Sequence, residues 1–191
     1  MSEHTGRPSG AAVPAGGDVA VGGMRMPPGA PLEPEGNLLL SGMGPASYAD
    51  RADRPDLTHH GEARIVPLRA APGFSLNPRD PDPRGMRVIA ADGELAGTVT
   101  EVWVDRAEPM VRYYEVAVAS TGTPVLLPAT CARVKSGPRE LRVKSILAHQ
   151  FKDVPATARP DRVTLLEEDK IQAYFAGGYL FATPARRQPL L

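Results

Sequence analysis

Two carboxylates and one guanidinium stand close together near the middle of the chain, between Asp105 and Arg112. Glu108 lies between them and is followed by Pro109. At this spacing we expect the three charged side chains to share one small volume, in which neighbouring carboxylates resist joint ionisation. A cluster of this kind can hold and release protons. The alternative is a solvated turn in which Arg112 makes a surface ion pair.

Two β-strands joined by a short acidic turn are predicted to position these residues. The run Leu95–Asp105 is rich in Val, Thr and Trp, and apolar residues alternate with others in residues 112–119. Pro109 cannot donate a hydrogen bond to a β-ladder, so the break between the two strands is expected there.

Four further runs are rich in β-forming residues, at 86–91, 124–127, 130–135 and 141–146. Asp92-Gly93 between two of the runs is a strong hairpin signal. The pattern predicts a mainly β fold, with a small β-barrel or sandwich at residues 86–150. The expected core residues are Val88, Val99, Val116, Val118, Leu126, Val134 and Val143. Which face Trp103 takes is left open by the pattern.

Segments of different composition flank this predicted core. Residues 1–41 are rich in Gly, Ala and Pro, and we expect an extended arm there, because they offer little apolar surface to bury. In residues 42–85 proline and glycine recur too often for long helices, so we expect an irregular segment with short strands. Residues 151–191 are predicted to form a loop, one helix and a tail.

The predicted C-terminal helix has a clear start signal. Thr164 and Glu167 have the spacing of a capping box, in which each side chain bonds the other residue's backbone N–H. We also assign Glu168 and Asp169 to the positive end of the helix dipole. Gly177-Gly178 is predicted to end the helix.

Composition and the absence of known motifs argue against several classes of function. The 22 basic and 22 acidic residues balance, which argues against a dedicated nucleic-acid binder. The single cysteine, Cys131, cannot form an internal disulfide, and no apolar run is long enough to span a membrane. The sequence contains no phosphate-binding glycine loop, no His-Glu-x-x-His and no Cys-x-x-Cys, so no motif supports an enzyme.

Adjacent histidines form a second group with possible chemistry. His59 and His60 lie between Asp56 and Glu62, a set that can bind a transition metal weakly. A solvated polar surface is the interpretation we favour. We therefore predict no metal site.

Several segments, taken in order, resemble the cytoplasmic part of the H subunit of the bacterial type-II photosynthetic reaction centre. The core of that family is a PRC-barrel domain. The similar segments are residues 44–48, 65–74, 102–115, 126–128, 163–171 and 176–178. Together they extend over most of the chain from about residue 42 to residue 185.

The resemblance implies an accessory, non-enzymatic subunit that lies peripherally on the cytoplasmic face of the photosynthetic inner membrane. It would bind no cofactor directly. Its partners would be the membrane-embedded L and M subunits, which hold bacteriochlorophyll, bacteriopheophytin, quinones and non-haem iron. Light-harvesting subunits are further candidate neighbours, and nucleic acid is not expected. The subunit would cap the secondary quinone site, stabilise the complex and conduct protons to the reduced quinone. The family usually begins with a transmembrane helix, which does not follow Met1 here. Either that helix has been trimmed from this sequence or a separate polypeptide supplies it, and we expect the second.

The resemblance also assigns roles to residues of the acidic turn. Asp105 and Glu108 match the acidic positions of the family's proton relay, and Arg112 matches an arginine that moderates the field around them. Free carboxylates titrate at a pKa of about 4. Crowding two of them in a partly desolvated site is expected to raise at least one pKa towards neutrality.

A proton-uptake surface is implied for the histidine segment. His60 matches one histidine of that surface, and Glu62 stands where the family has a second one. Thr58 stands where the family has an acid, and Asp56 lies two residues earlier. We therefore expect Asp56, His59 and Glu62 to contribute to proton uptake. Because these residues differ from the family's set, we do not carry over the family's inhibition by metal ions at this surface.

A different class of function remains open. PRC barrels also occur as free binding modules, so the chain is alternatively an adaptor that docks a soluble protein or a ribonucleoprotein. The zero net charge and the lack of an aromatic and basic platform argue against RNA as the partner.

Overall fold

The computed structural model describes residues 36–187. The predicted arm up to Glu35 and the last four residues of the predicted tail lie outside the described residues. Leu38 and Leu39, which the prediction placed in the arm, form a short 3₁₀ turn and are buried. The side chain of Asn37 caps this turn by accepting a hydrogen bond from the Leu39 amide at 3.1 Å.

The described part of the chain is mainly β, as predicted, with seven strands and one α-helix. The strands are Ile65–Pro67 (β1), Arg87–Ile89 (β2), Leu95–Asp105 (β3), Met110–Val118 (β4), Pro124–Pro128 (β5), Ala132–Lys135 (β6) and Glu140–Val143 (β7). The helix is Leu165–Phe181 (α1). Short 3₁₀ turns lie at Leu38–Leu40, Gly44–Ala46, Leu68–Ala70, Ala129–Cys131, Ala148–Asp153 and Pro184–Arg186. No helix within residues 36–187 has both the length and the apolarity needed to cross a bilayer.

Strand β3 organises the sheet, whose strand order is β5-β4-β3-β2-β7-β6 with β1 also paired to β3. The β2–β7 pair is parallel, and the other strand pairs are antiparallel. The predicted hairpin at Asp92-Gly93 joins β2 to β3, and Gly93 takes a φ of +84° that suits glycine. The break predicted at Pro109 is also present, because β3 ends at Asp105 and β4 begins at Met110.

The core follows the predicted alternation at six of the seven named positions. Val88, Val99, Val116, Val118, Leu126 and Val143 are buried. Val134 is only partly buried and packs against the core from its edge, because β6 is the terminal strand of the sheet order. Trp103, whose face the pattern left open, is buried, and its indole N–H donates to Glu115 Oε2 at 3.0 Å.

Helix α1 confirms the predicted start but not the predicted end. Thr164 Oγ1 accepts from the Glu167 amide at 3.1 Å, and the Glu167 carboxylate accepts from the Thr164 amide at 2.8 Å. The helix continues past Gly177 and Gly178 to Phe181, so the prediction that these glycines end it is wrong. Their role is close packing. A Cβ on Gly177 would lie 2.8 Å from the Ala46 Cβ, and one on Gly178 would lie 2.5 Å from the Ile146 Cγ2.

Candidate functional site

The guanidinium of Arg64 binds three carboxylates at one end of strand β3. Its Nε lies 2.9 Å from both Asp105 carboxylate oxygens, and its Nη2 lies 2.9 Å from Asp105 Oδ2. The same Nη2 is 3.0 Å from Glu108 Oε1, and Nη1 is 3.3 Å from Asp56 Oδ2. We call these four residues the Arg64 cluster.

Strand pairing brings the Arg64 cluster together. Antiparallel pairing of β1 with β3 places Ile65 opposite Asp105, so Arg64 reaches the acidic turn that follows β3. Asp105 Oδ1 also accepts from the backbone amides of Ala107 at 2.9 Å and Glu108 at 3.1 Å. An Asp side chain bonded to the amides that follow it stabilises a tight turn. Asp105 therefore holds both the turn and the arginine.

Hydrogen bonding outweighs burial at Asp105. Its side chain is 1% exposed, and desolvation by itself would raise its pKa. The hydrogen bonds from Arg64 and from the amides of Glu108 and Ala107 favour the charged form and hold the pKa of Asp105 below its ordinary value. Asp105 is therefore not the carboxylate with the raised pKa that was expected for at least one of the pair, because its hydrogen-bond donors outweigh desolvation.

Glu108 forms the open end of the Arg64 cluster. Its side chain is 67% exposed and touches the cluster through Arg64. The cluster thus has one closed carboxylate, Asp105, and one that reaches solvent. An exposed carboxylate exchanges protons freely with water or with a partner placed over it, whereas a buried one held by several donors does not.

The histidine segment is joined to the same region through Arg106. The pairing of Leu57 with Ala63 folds residues 57–63 into a narrow loop. Arg106 Nε donates to the Ala63 carbonyl at 3.0 Å, and its Nη1 lies 3.2 Å from Glu62 Oε2. Arg106, which directly follows Asp105, therefore holds this loop against the end of β3.

His59 and His60 are exposed on that loop, with ring centroids 3.7 Å apart. The His60 amide donates to Thr58 Oγ1 at 3.3 Å. Asp56, at the base of the loop, is the member of the predicted uptake set that contacts Arg64 directly. The structure therefore brings the predicted uptake residues and the predicted relay carboxylates into one region of the surface.

Arg112 does not complete the Arg64 cluster as the sequence spacing suggested. Its Nη2 lies 3.8 Å from Glu168 Oε2 in helix α1, and the guanidinium shared by Asp105 and Glu108 is that of Arg64. Arg112 lies in β4, on the far side of the turn, where it faces the helix. We therefore correct its predicted position.

Glu168 belongs to a second, separate polar group. The Tyr113 hydroxyl donates to Glu168 Oε2 at 2.9 Å, and Gln172 Nε2 approaches the same hydroxyl at 3.5 Å. Glu168 is buried, and this desolvation raises its pKa despite the opposing effects of Tyr113 and Arg112. The sequence predicts that Glu168 interacts with the helix dipole, whereas in the structure it forms a buried pair with Tyr113 between β4 and α1.

A sequence signal existed for Glu168 but not for Arg64. Glu168 lies three and seven residues before Ile171 and Phe175, so helical periodicity places it on the buried face. Arg64 precedes a short apolar strand, and nothing near it in the chain indicates a carboxylate 41 residues away.

Comparison with known protein families gives two matches that meet at this site. Residues 4–70 match the family model described as the photosynthetic reaction centre, H-chain N-terminal region. Residues 79–150 match the model of the PRC-barrel domain. The first match contains Asp56, His60 and Arg64, and the second contains Asp105 and Glu108. The Arg64 cluster therefore joins the two matched regions.

Proposed function

Because the chain is an H-subunit-like protein of the photosynthetic reaction centre with a PRC-barrel domain, we propose that it covers the secondary quinone site and conducts protons to the reduced quinone. The match to the H-chain family supports a peripheral, membrane-associated subunit of that complex. In the proposal it acts without being an enzyme. The L and M subunits hold the bacteriochlorophyll, bacteriopheophytin, quinones and non-haem iron.

The observation that carries this proposal is the Arg64 cluster, with its buried and its exposed carboxylate. Reduction of a quinone to a quinol consumes two electrons and two protons, and a subunit over the quinone site must let those protons through. Glu108 is the cluster's solvent-reaching carboxylate, with 67% of its side chain exposed. A carboxylate that reaches the surface can take a proton from water and pass it to a partner that covers it.

The residues around Glu108 have different roles in the proposal. A guanidinium stays protonated, so Arg64 fixes positions and does not pass protons on. Its pKa is raised further, chiefly by the hydrogen bond to Asp105. Asp105, with its lowered pKa, keeps Arg64 and the turn in place. Protons collected at His59 and His60 would then reach Glu108 through Asp56 and water.

Arg112 takes a modified role in this scheme. Its pairing with Glu168 places it beside the second polar group, from which it moderates the field only at longer range. We therefore expect Arg112→Gln to have a smaller effect on proton delivery than loss of Glu108.

The proposal is tested by Glu108→Gln in the assembled reaction centre. We expect the proton-coupled transfer of the second electron to the secondary quinone to slow several-fold at neutral pH, because glutamine cannot carry a proton. Flash-induced absorbance kinetics measure this step. The first electron transfer and the assembly of the complex should change little, since Glu108 is exposed in this chain.

A matched control is Glu94→Gln, which removes an exposed carboxylate from the turn between β2 and β3. It should leave the second electron transfer unchanged. Equal rates in wild type and Glu108→Gln would contradict the relay. The covering role has its own test: a reaction-centre core purified without this subunit should lose secondary-quinone occupancy, and full retention would contradict that role.

A further inference from the structure

The outward faces of β6 and β7 line a groove of about 590 Å³ that contains four cationic side chains. Arg133 and Lys135 come from β6, Arg142 comes from β7, and Lys144 follows β7. All four side chains are exposed. No carboxylate lies among the described residues that line this groove. We call it the basic groove.

Strand register places two of these positive charges directly opposite each other. Arg133 pairs with Arg142 across β6 and β7, and the neighbouring pairs Val134 with Leu141 and Ala132 with Val143 point to the other face. Like charges directly opposite each other on a sheet destabilise it. The pair of arginines therefore does not stabilise the fold by itself, whereas an anion bound between the two guanidinium groups would offset their repulsion.

One carboxylate beside the groove is already engaged. Glu140 lies 3.0 Å from Arg142 and 2.7 Å from Arg87 through its two oxygens, and it is also the cross-strand partner of Lys135. Arg133, Lys135 and Lys144 take part in no ion pair among residues 36–187. The groove thus keeps an uncompensated positive charge.

The surroundings of the groove leave it open on one side and give it an amphipathic border. β6 ends the order of strands in the sheet, so no described strand covers its outer edge. Tyr179 of α1 lines the groove with 55% of its surface exposed. Tyrosine beside lysine and arginine is the combination found where proteins meet the headgroup layer of a membrane.

We propose that the basic groove binds the phosphate groups of anionic lipids at the membrane surface. The charge of the groove complements such headgroups, and the match to the reaction-centre H chain supports a membrane-associated subunit. This contact would orient the subunit on the bilayer independently of its contacts with the quinone-bearing subunits. It requires neither Glu108 nor any proton transfer.

Vesicle sedimentation of the full chain tests the lipid site. We compare phosphatidylcholine vesicles with vesicles that also contain phosphatidylglycerol, at low ionic strength. Each cation near an anionic surface strengthens binding by about fivefold, so R133Q/K135Q/K144Q should weaken binding to the phosphatidylglycerol vesicles by about 100-fold. Arg142 is retained so that Glu140 keeps its partner. The variant should fold at least as well as wild type, because it relieves repulsion between Arg133 and Arg142.

The matched control is R79Q/K152Q/R159Q, which removes the same number of exposed charges from segments outside the groove. Wild type and this control should bind the phosphatidylglycerol vesicles alike, and neither should sediment with phosphatidylcholine alone.

Three results would overturn the proposal. The first is that the groove variant binds as tightly as wild type. The second is that both triple variants lose equal affinity, which would show a diffuse charge effect. Groove-dependent binding of polyglutamate without binding to vesicles would instead assign the groove to an acidic protein. None of these results bears on the electron-transfer kinetics of Glu108→Gln. The vesicle assay therefore tests the lipid site independently of the proton relay.

Discussion

Asp105 and Glu168 are both buried carboxylates, yet their pKa values are shifted in opposite directions. Asp105 receives the Arg64 guanidinium and two backbone amides, and its pKa lies below the ordinary value. Glu168 receives one phenolic hydroxyl at 2.9 Å, with Arg112 no closer than 3.8 Å, and its pKa lies above the ordinary value. Burial raises the pKa of any carboxyl, and the donors that reach it decide the final direction.

The sequence predicts a carboxyl with a raised pKa in the acidic turn, whereas in the structure such a carboxyl is Glu168, between β4 and α1. Asp105 is a fixed charge that organises the turn and Arg64. Glu168 is a buried carboxyl between β4 and α1, and its raised pKa makes it easier to protonate than an exposed glutamate. A proton-holding group is therefore better sought where donors are few than where carboxylates are crowded.

The largest effect should come from Asp105→Asn. We expect the free energy of unfolding to fall by about 3 kcal/mol at pH 7, since the variant leaves Arg64 without its buried partner and weakens the bonds to the turn amides. Urea unfolding of the full chain measures it. Glu108→Gln is the control, and its effect should be below about 1 kcal/mol because the Glu108–Arg64 pair is exposed to solvent.

The pH dependence of the same variant sharpens the comparison. A lowered pKa in the folded state means that Asp105 stabilises the protein above its unfolded pKa of about 3.9, and that this contribution disappears as the pH falls below that value. The difference between wild type and Asp105→Asn should therefore be constant from pH 5 to pH 8 and shrink below about pH 4. A constant difference down to pH 2 would contradict the account of Asp105.

Tyr113→Phe should have an intermediate effect. The variant keeps the buried ring but removes the hydroxyl that donates to Glu168, and we expect a loss of about 1 to 2 kcal/mol at pH 7. Because ionised Glu168 loses its closest donor, the penalty should be larger at pH 7 than at pH 4. Equal penalties at both values would show that the hydroxyl does not act on the charge of Glu168.

Glu168→Gln should have the smallest effect and the opposite pH trend to Asp105→Asn. Glutamine can still accept from Tyr113 and does not ionise, so stability at pH 7 should stay within about 1 kcal/mol of wild type. A raised pKa means that the folded state binds more protons than the unfolded state, so the contribution of Glu168 declines as the pH rises from about 4.

The variant should therefore gain stability relative to wild type between pH 4 and neutrality, as read from urea unfolding at several pH values. A gain that appears on acidification instead would show that Glu168 behaves like Asp105. That result would contradict the opposite pKa shifts of the two carboxylates.

Much of the fold was predictable because strands and turns depend on neighbouring residues. The limits predicted for β3 are those observed, and the hairpin at Asp92-Gly93 and the capping box at Thr164 follow from adjacent residue types. The end of α1 was missed for a physical reason. Gly177 and Gly178 usually indicate a helix stop, and only the approach of Ala46 and Ile146 gives them another use.

The sequence by itself determined, to within a few residues, where six of the seven described strands lie, where the acidic turn lies, and that this turn contains Asp105 and Glu108. These features depend on residue type and on spacings of a few residues. Only the tertiary structure decided which arginine faces Asp105, that Arg112 turns to Glu168, and that the like charges of the basic groove lie side by side. Such contacts join residues far apart in the chain, so they follow from strand register and helix docking.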